Sequence, residues 1–238
     1  MMSKLSVDFH THILHNVDDG SASLSESVKM LKAEQKMGVK TVVATPHFYA
    51  DLDSADEFLH KRARAVEELN RVTADMPELP RIVQGAEVLY FEGMDKWDIL
   101  PELTISGTKY IIIEMPCTPF PRKSVETLAN FKKKTGFTPI IAHLDRYITA
   151  FRTYKLPEVL SELDVLVQMN ASFFLKFPNS VQAIKLLKKG SIHLLGSDCH
   201  NNVSRPPNLD KAESVILEKA GRQNINRLIE FENLVLGK

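Results

Sequence analysis

His10 and His12 stand one residue apart in FHTH, and Asp198 and His200 repeat that spacing in SDCH. Side chains two apart on an extended backbone point to the same side, so each pair can grip one cation together. Between the pairs lie His47 in ATPH, Glu87 in GAEV, Glu114 in IIIEMP and His143 in IIAH. Imidazole nitrogen and carboxylate oxygen are ligands for zinc, manganese and iron, and a carboxylate can bridge two ions. Two or three such ions supply a hydroxide at neutral pH and neutralise the charge of a phosphate ester. Metal-assisted hydrolysis is therefore the chemistry these residue types suit. Taken singly, each is weak evidence, because a lone His143 or Glu114 is more often a hydrogen-bonded structural residue. Recurrence in successive segments is what favours a shared site.

Each of these residues closes, or lies just beyond, a short apolar run. The runs are LSVDFH, KTVVATPH, PRIVQGAEV, KYIIIEMP, TPIIAH, DVLVQMN and HLLGSD. They mostly lack in/out alternation, as expected of parallel strands buried on both faces. Helical spacing fills the gaps in SLSESVKMLKAEQKMG, in the charged run 54–74, in SVETLANFKKKTG and in 179–189, with Gly38, Gly136 and Gly190 as stop signals. Seven strands alternating with helices predict a single α/β domain over residues 1–238, built as a barrel or as an open doubly wound sheet. In a barrel, the C-terminal strand ends form the face on which active sites are built. From Leu209 onward, two closing helices broken near Gly221 are expected, with Leu228, Ile229, Leu234 and Val235 as core positions. His15 fits no ligand spacing, and His60 and His193, read as helix-surface and intra-strand positions, receive no role.

Thirty basic and thirty acidic residues cancel, so no whole-protein field attracts nucleic acid or an anionic membrane. Two cysteines, Cys117 and Cys199, make no disulfide framework and fit a reducing compartment. The opening MMSKLSVDFHTHIL lacks the apolar segment of a signal peptide, and no stretch reaches the roughly 20 apolar residues a bilayer requires. A cytoplasmic protein, not integral to a membrane, is expected.

FHTHILHNVDDG, VVATPHF, GAEVLY, IIIEMP, PIIAHLDRY and GSDCHNNVSRPP, in order from about residue 5 to 210, together resemble the PHP (polymerase and histidinol phosphatase) superfamily. More narrowly, the chain resembles the bacterial CpsB/YwqE-type tyrosine-protein phosphatases of capsule and exopolysaccharide synthesis. The resemblance implies a distorted (β/α)7 TIM-like barrel with three divalent ions, manganese first and iron or zinc as alternatives. His10, His12, Glu87 and Asp198 would hold the first ion, and Glu87 would bridge to a second completed by Glu114 and His143. The third would be held by His47, His200 and an aspartate of the DDG turn, Asp19 favoured and Asp18 left open. Arg146 and Arg205 match positions that bind the substrate phosphate. The implied mechanism is attack by a hydroxide held between metal ions on phosphorus, in line with the tyrosine oxygen, with Asp198 or His200 moving protons. The implied partner is a phosphotyrosine protein, a bacterial tyrosine kinase with a tyrosine-rich tail.

Cys199 and Arg205 form C-x5-R, the spacing of cysteine-dependent tyrosine phosphatases. The residues between them contain no glycine to form a phosphate cradle, proline follows the arginine, and Asp198 beside the thiol disfavours a thiolate. The rivals that keep the metals are a small-molecule phosphatase of the histidinol phosphatase type and a TatD-like or amidohydrolase barrel. The remaining alternative, a metal-stabilised binding module, sits poorly with a full ligand set.

Overall fold

The computed structural model describes residues 4–52, 54–116, 122–150 and 155–237. The strands are β1 (Val7–Thr11), β2 (Thr41–Ala44), β3 (His47–Phe48), β4 (Arg81–Gln84), β5 (Glu87–Leu89), β6 (Tyr110–Glu114), β7 (Thr138–Ile141), β8 (Leu166–Asn170) and β9 (Leu194–Gly196). The helices are α1 (Leu24–Met37), α2 (Ala55–Val72), α3 (Leu100–Leu103), α4 (Arg122–Thr135), α5 (Leu144–Ala150), α6 (Leu156–Ser161), α7 (Asn179–Lys189), α8 (Leu209–Ala220) and α9 (Arg222–Leu236). All seven expected runs are strands, and the expected helices are present, α8 and α9 meeting at Gly221. Three helices, α3, α5 and α6, were not foreseen.

The strands form parallel ladders in the orders β1-β2-β4 and β3-β5-β6-β7-β8-β9. A parallel bridge between Thr11 and Cys199 brings the first strand beside the segment after β9. The result is a curled parallel sheet in an α/β domain. Two expected strands are interrupted. Between β2 and β3, Thr45 donates its N–H to Thr11 across the sheet, and Pro46 has none to donate. Between β4 and β5, the buried guanidinium of Arg62 on α2 donates to Gly85 O at 2.8 Å and to Glu102 O at 2.8 Å. That cation satisfies carbonyls the ladder leaves open.

Two apolar clusters follow from the period-two alternation of strands. Val7, Phe9, Val43, Val83, Ile112, Ile140 and Leu194 meet one another on the concave face of the sheet, with Val235 of α9 among them. Val42, Ile111, Ile113, Ile141, Val167 and Leu195 face the other way and pack under the helices. The concave face then changes character along each strand. Ile112 is followed two residues later by Glu114, and Leu166 by Gln168 and Asn170. Apolar filling thus gives way to polar groups at the C-terminal end. At the opposite end, Glu232 of α9 accepts the N–H groups of Ser6 and Val7. Leu228 and Val235 are buried as expected, whereas Leu234 is 57% exposed.

Candidate metal centre

His10, His12, Glu87, His143, Asp198 and His200 are all buried at the C-terminal end of the sheet, His47 and Glu114 are partly buried, and Asp19 lies at the rim with 69% of its side chain exposed. The ring atoms Nε2 of His10 and His12 lie 3.1 Å apart. Glu87 Oε2 stands 3.1 Å from the first and 3.4 Å from the second, with Asp198 Oδ1 at 3.8 and 3.4 Å. Two imidazole nitrogens facing each other this closely lack the proton arrangement of a good hydrogen bond unless one carries a proton. A cation between them suits both lone pairs.

The groups behind the imidazole rings point the same way. Three of the histidines donate their Nδ1–H to an acceptor behind them. His10 Nδ1 faces Gln168 Oε1 at 3.4 Å, His12 Nδ1 faces Asp18 Oδ2 at 2.6 Å, and His200 Nδ1 faces Asp198 O at 3.1 Å. This fixes the tautomer and leaves each Nε2 lone pair turned inward. Burial opposes ionisation of Asp18, but the bond and charge of His12 outweigh it and pull its pKa to about 2. An ionised Asp18 is an acceptor only, so the shared proton belongs to His12.

Gln168 and Asn170 were missed by sequence reasoning, although their i, i+2 spacing in DVLVQMN was a readable signal. Gln168 accepts the N–H of His143 at 2.6 Å and passes its own N–H to Asn170 Oδ1 at 3.0 Å. Asn170 donates in turn to Asp198 Oδ2 at 3.0 Å. The chain ties three strand ends together.

Around Glu87, His143 Nε2 lies 2.6 Å from Oε1 and His47 Nδ1 2.9 Å from Oε2. Glu114 Oε1 is 3.5 Å from His143 Nε2. Asp19 Oδ1 is 3.4 Å from His200 Nε2 and 3.6 Å from His47 Nε2, whereas the Asp18 carboxylate is held against His12 Nδ1. Three sets of residues bring ligand atoms within 4.8 Å of one another: His10, His12 and Asp198; His47, Glu87 and Glu114; and His12, Asp19, His47 and His200. Glu87 Oε2, Asp198 Oδ1, His200 Nε2 and His47 Nδ1 are buried and crowd one another, yet none makes a well-aligned hydrogen bond among the described residues. Buried orphan acceptors clustered in one place are what a set of cation ligands leaves when protein atoms alone are considered. The donor set therefore fits divalent cations.

Burial opposes ionisation of Glu87 and Asp198, yet the surrounding histidines hold both well below the carboxylate range. Glu114 is pushed up, by burial and then by the charge of Glu87. Backbone strain is concentrated here too, since His143 (φ 31°) and Asp198 (φ 55°) adopt left-handed conformations unusual outside glycine. Gly196 is required by close approach, because a Cβ there would lie 2.5 Å from His10 Cβ.

Arg146 and Arg205 converge on one carboxylate oxygen. Arg146 Nη2 donates to Asp198 Oδ2 at 2.7 Å and Nη1 to Glu114 Oε1 at 3.0 Å, while Arg205 Nη2 lies 2.8 Å from Asp198 Oδ2. Tyr147, donating to Met115 O and accepting from Met115 N, pins α5 so that Arg146 reaches the site. The neighbour Asp145 instead accepts from Asn170 N, so it is not the partner of Arg146. Both arginines border a cavity of about 400 Å3 with Ser172, Ser204 and Asn208.

Cys199 is wholly buried beneath the site, 4.0 Å from Glu34 Oε1. Burial first, then the charges of Glu34 and Asp8, push its thiol well above the usual range, and Asp198 adds only a lesser effect. It cannot serve as a nucleophile in this state. Cys117 lies outside the described residues. His15 bonds Glu68, His60 is exposed on α2, and His193 accepts Val167 N just before β9 rather than within it.

A sequence model of the capsular polysaccharide synthesis family CpsB/CapC matches residues 6–234. The chain is 29% identical over 232 residues to the tyrosine-protein phosphatase CpsB of Streptococcus pneumoniae, covering 93% of this chain and 94% of that one. It is 27% identical over 237 residues to the tyrosine-protein phosphatase YwqE of Bacillus subtilis, covering 97% and 91%. The fold matches crystal structures of YwqE and CpsB, described as metal-dependent tyrosine phosphatases, with a TM-score of 0.87 at 24% identity over 98% of this chain and 95% of that one. No helix among the described residues is long and apolar enough to cross a membrane.

Proposed function

Because the chain belongs to the CpsB/CapC family of capsular polysaccharide synthesis, we propose that it is a metal-dependent protein-tyrosine phosphatase acting in capsule or exopolysaccharide synthesis. The observation that carries this reading is the meeting of inward-facing histidine nitrogens, orphan carboxylate oxygens and two arginines at one strand-end cavity. Its substrate is a phosphotyrosine protein, a bacterial tyrosine kinase with a tyrosine-rich tail. It works in the cytoplasm.

Three divalent ions are assigned, with manganese first and iron or zinc as alternatives. His10, His12, Glu87 and Asp198 hold the first, Glu87, Glu114 and His143 the second, and Asp19, His47 and His200 the third. Asp19 is preferred to Asp18 because its carboxylate stands beside His47 and His200, whereas Asp18 is committed to His12. When bound, such ions supply Lewis acidity and an activated water. With each interrupted strand pair counted as one, the sheet is read as a distorted (β/α)7 barrel in one domain spanning the chain.

The protein's own residues do the remaining work. Arg146 and Arg205 are 37% and 39% exposed and keep N–H donors beyond those given to Asp198, so they can clamp phosphate oxygens as charge develops. Asp198 and His200 are assigned the proton transfers from the attacking water and to the product. A phenolate leaves more easily than an alkoxide, so strong acid assistance is unnecessary.

The test is metal analysis paired with hydrolysis of phosphotyrosine peptides and of histidinol phosphate, before and after chelation. Chelation is expected to abolish peptide hydrolysis and metal return to restore it. Faster turnover of histidinol phosphate than of any phosphotyrosine peptide would sink the proposal, as would activity indifferent to chelation.

A further inference from the structure

The cavity at Arg205 is not alone. A second cleft of about 600 Å3 adjoins it, lined by Arg146, Thr149, Ser172, Phe173, Lys176 and Asn179 among others. Arg146 and Ser172 border both, so the two clefts adjoin at these residues. A phosphate held by Arg146 and Arg205 fills only the first part. A substrate that continues past Arg146 enters the second.

The chemistry of the rim narrows what that continuation is. Seven large apolar side chains are exposed among the described residues. One of them, Phe177 (84% exposed), lies in the chain between Lys176 and Asn179, which line the second cleft. Lys176 is exposed and has no ion pair among the described residues. The acid within the cleft, Asp145, is buried and already accepts Asn170 N. An exposed ammonium with no ion pair among the described residues, followed in the chain by the exposed Phe177, complements a polypeptide that carries an acidic side chain.

We propose that this cleft seats the polypeptide flanking the phosphotyrosine, with Lys176 pairing an acidic side chain close to that tyrosine. The proposal rests on the phosphatase reading above and adds to it a determinant of substrate choice. Lys176 is a specificity residue and takes no part in the chemical step.

The test uses the full chain loaded with metal and three substrates: a phosphotyrosine peptide with glutamate beside the tyrosine, the same peptide with glutamine there, and phenyl phosphate. Lys176→Glu is expected to raise KM for the glutamate peptide by roughly three- to tenfold, the scale of an exposed ion pair turned into repulsion. The kcat should be unchanged, the glutamine peptide barely affected and phenyl phosphate untouched. Phe177→Ser should raise KM for both peptides and leave phenyl phosphate alone. Equal effects on all three substrates, or none on any, overturn the inference while leaving the phosphatase reading intact. If the wild type turns over phenyl phosphate but neither peptide, both fall together.

Discussion

Asp18 holds His12 by the ring nitrogen that faces away from the ligand cluster, its Oδ2 lying 2.6 Å from Nδ1. Asp19, the next residue, instead turns its carboxylate towards His47 and His200. The two aspartates of the turn therefore have different tasks. Asp18→Asn is expected to weaken metal affinity by about 10–100-fold, as loss of a ligand's hydrogen-bond partner does. Activity should return when metal is raised. Asp19→Asn should lower the number of ions bound per chain and not recover in that way. Metal titration followed by activity distinguishes them, and exchanged phenotypes would refute the assignment.

The two guanidinium groups reach Asp198 Oδ2 from opposite partners, one on α5 and one in the loop before α8. If they bind phosphate oxygens as forks, lysine cannot replace either. Arg146→Lys and Arg205→Lys should each lower kcat/KM by about 10²–10³-fold, the usual loss for one transition-state donor, while metal content stays unchanged. Near-wild-type kinetics for both lysine variants would mean that charge alone suffices.

Cys199 lies in the C-x5-R spacing yet is sealed under the site. Cys199→Ala should retain phosphatase activity and cost about 1 kcal/mol of stability, a common outcome for a conservative core change. Native protein should also resist iodoacetamide. Loss of activity with metal content intact would revive the cysteine mechanism.

His193 gives a pH dependence that is separate from the metal centre. Burial, with a smaller effect from Arg227, lowers its pKa to about 4, and its Nδ1 accepts Val167 N. The unfolded chain titrates near the ordinary value of about 6.5. Between those values the unfolded state binds a proton that the folded state refuses, so stability falls as pH drops through that window. The contribution is on the order of 2–3 kcal/mol once the pH is below 4. His193→Gln should flatten this part of the urea-stability profile measured on apo-protein. An unchanged profile would remove His193 as its source.

Much of the fold was legible in sequence because buried parallel strands are continuous apolar runs. KYIIIEMP and TPIIAH hardly allow another reading. The convergence of the candidate ligands was legible for the same reason, since a carboxylate or imidazole at the end of such a run has no packing role there. The choice between Asp18 and Asp19 was not legible, because a one-residue rotation of a loop exchanges their directions and no periodicity fixes it. The breaks at Pro46 and Gly85 were also unread, the second depending on a buried Arg62 supplied by a helix more than twenty residues away. The short helices α3, α5 and α6 lacked the length that makes a 3.6-residue period visible.

The first strand and the segment after the last are stitched side by side: Asp198 N donates to His10 O at 2.8 Å and His12 N to Cys199 O at 2.9 Å. The ligands His10 and Asp198 are thus neighbours in space but separated by most of the chain. During synthesis, the histidines of the first strand leave the ribosome long before their partners do. As metal ligands they would be incomplete until Asp198 and His200 have emerged. On the proposed ligand assignment, loading of the centre is a late event, and a polypeptide stalled earlier is expected to hold metal weakly.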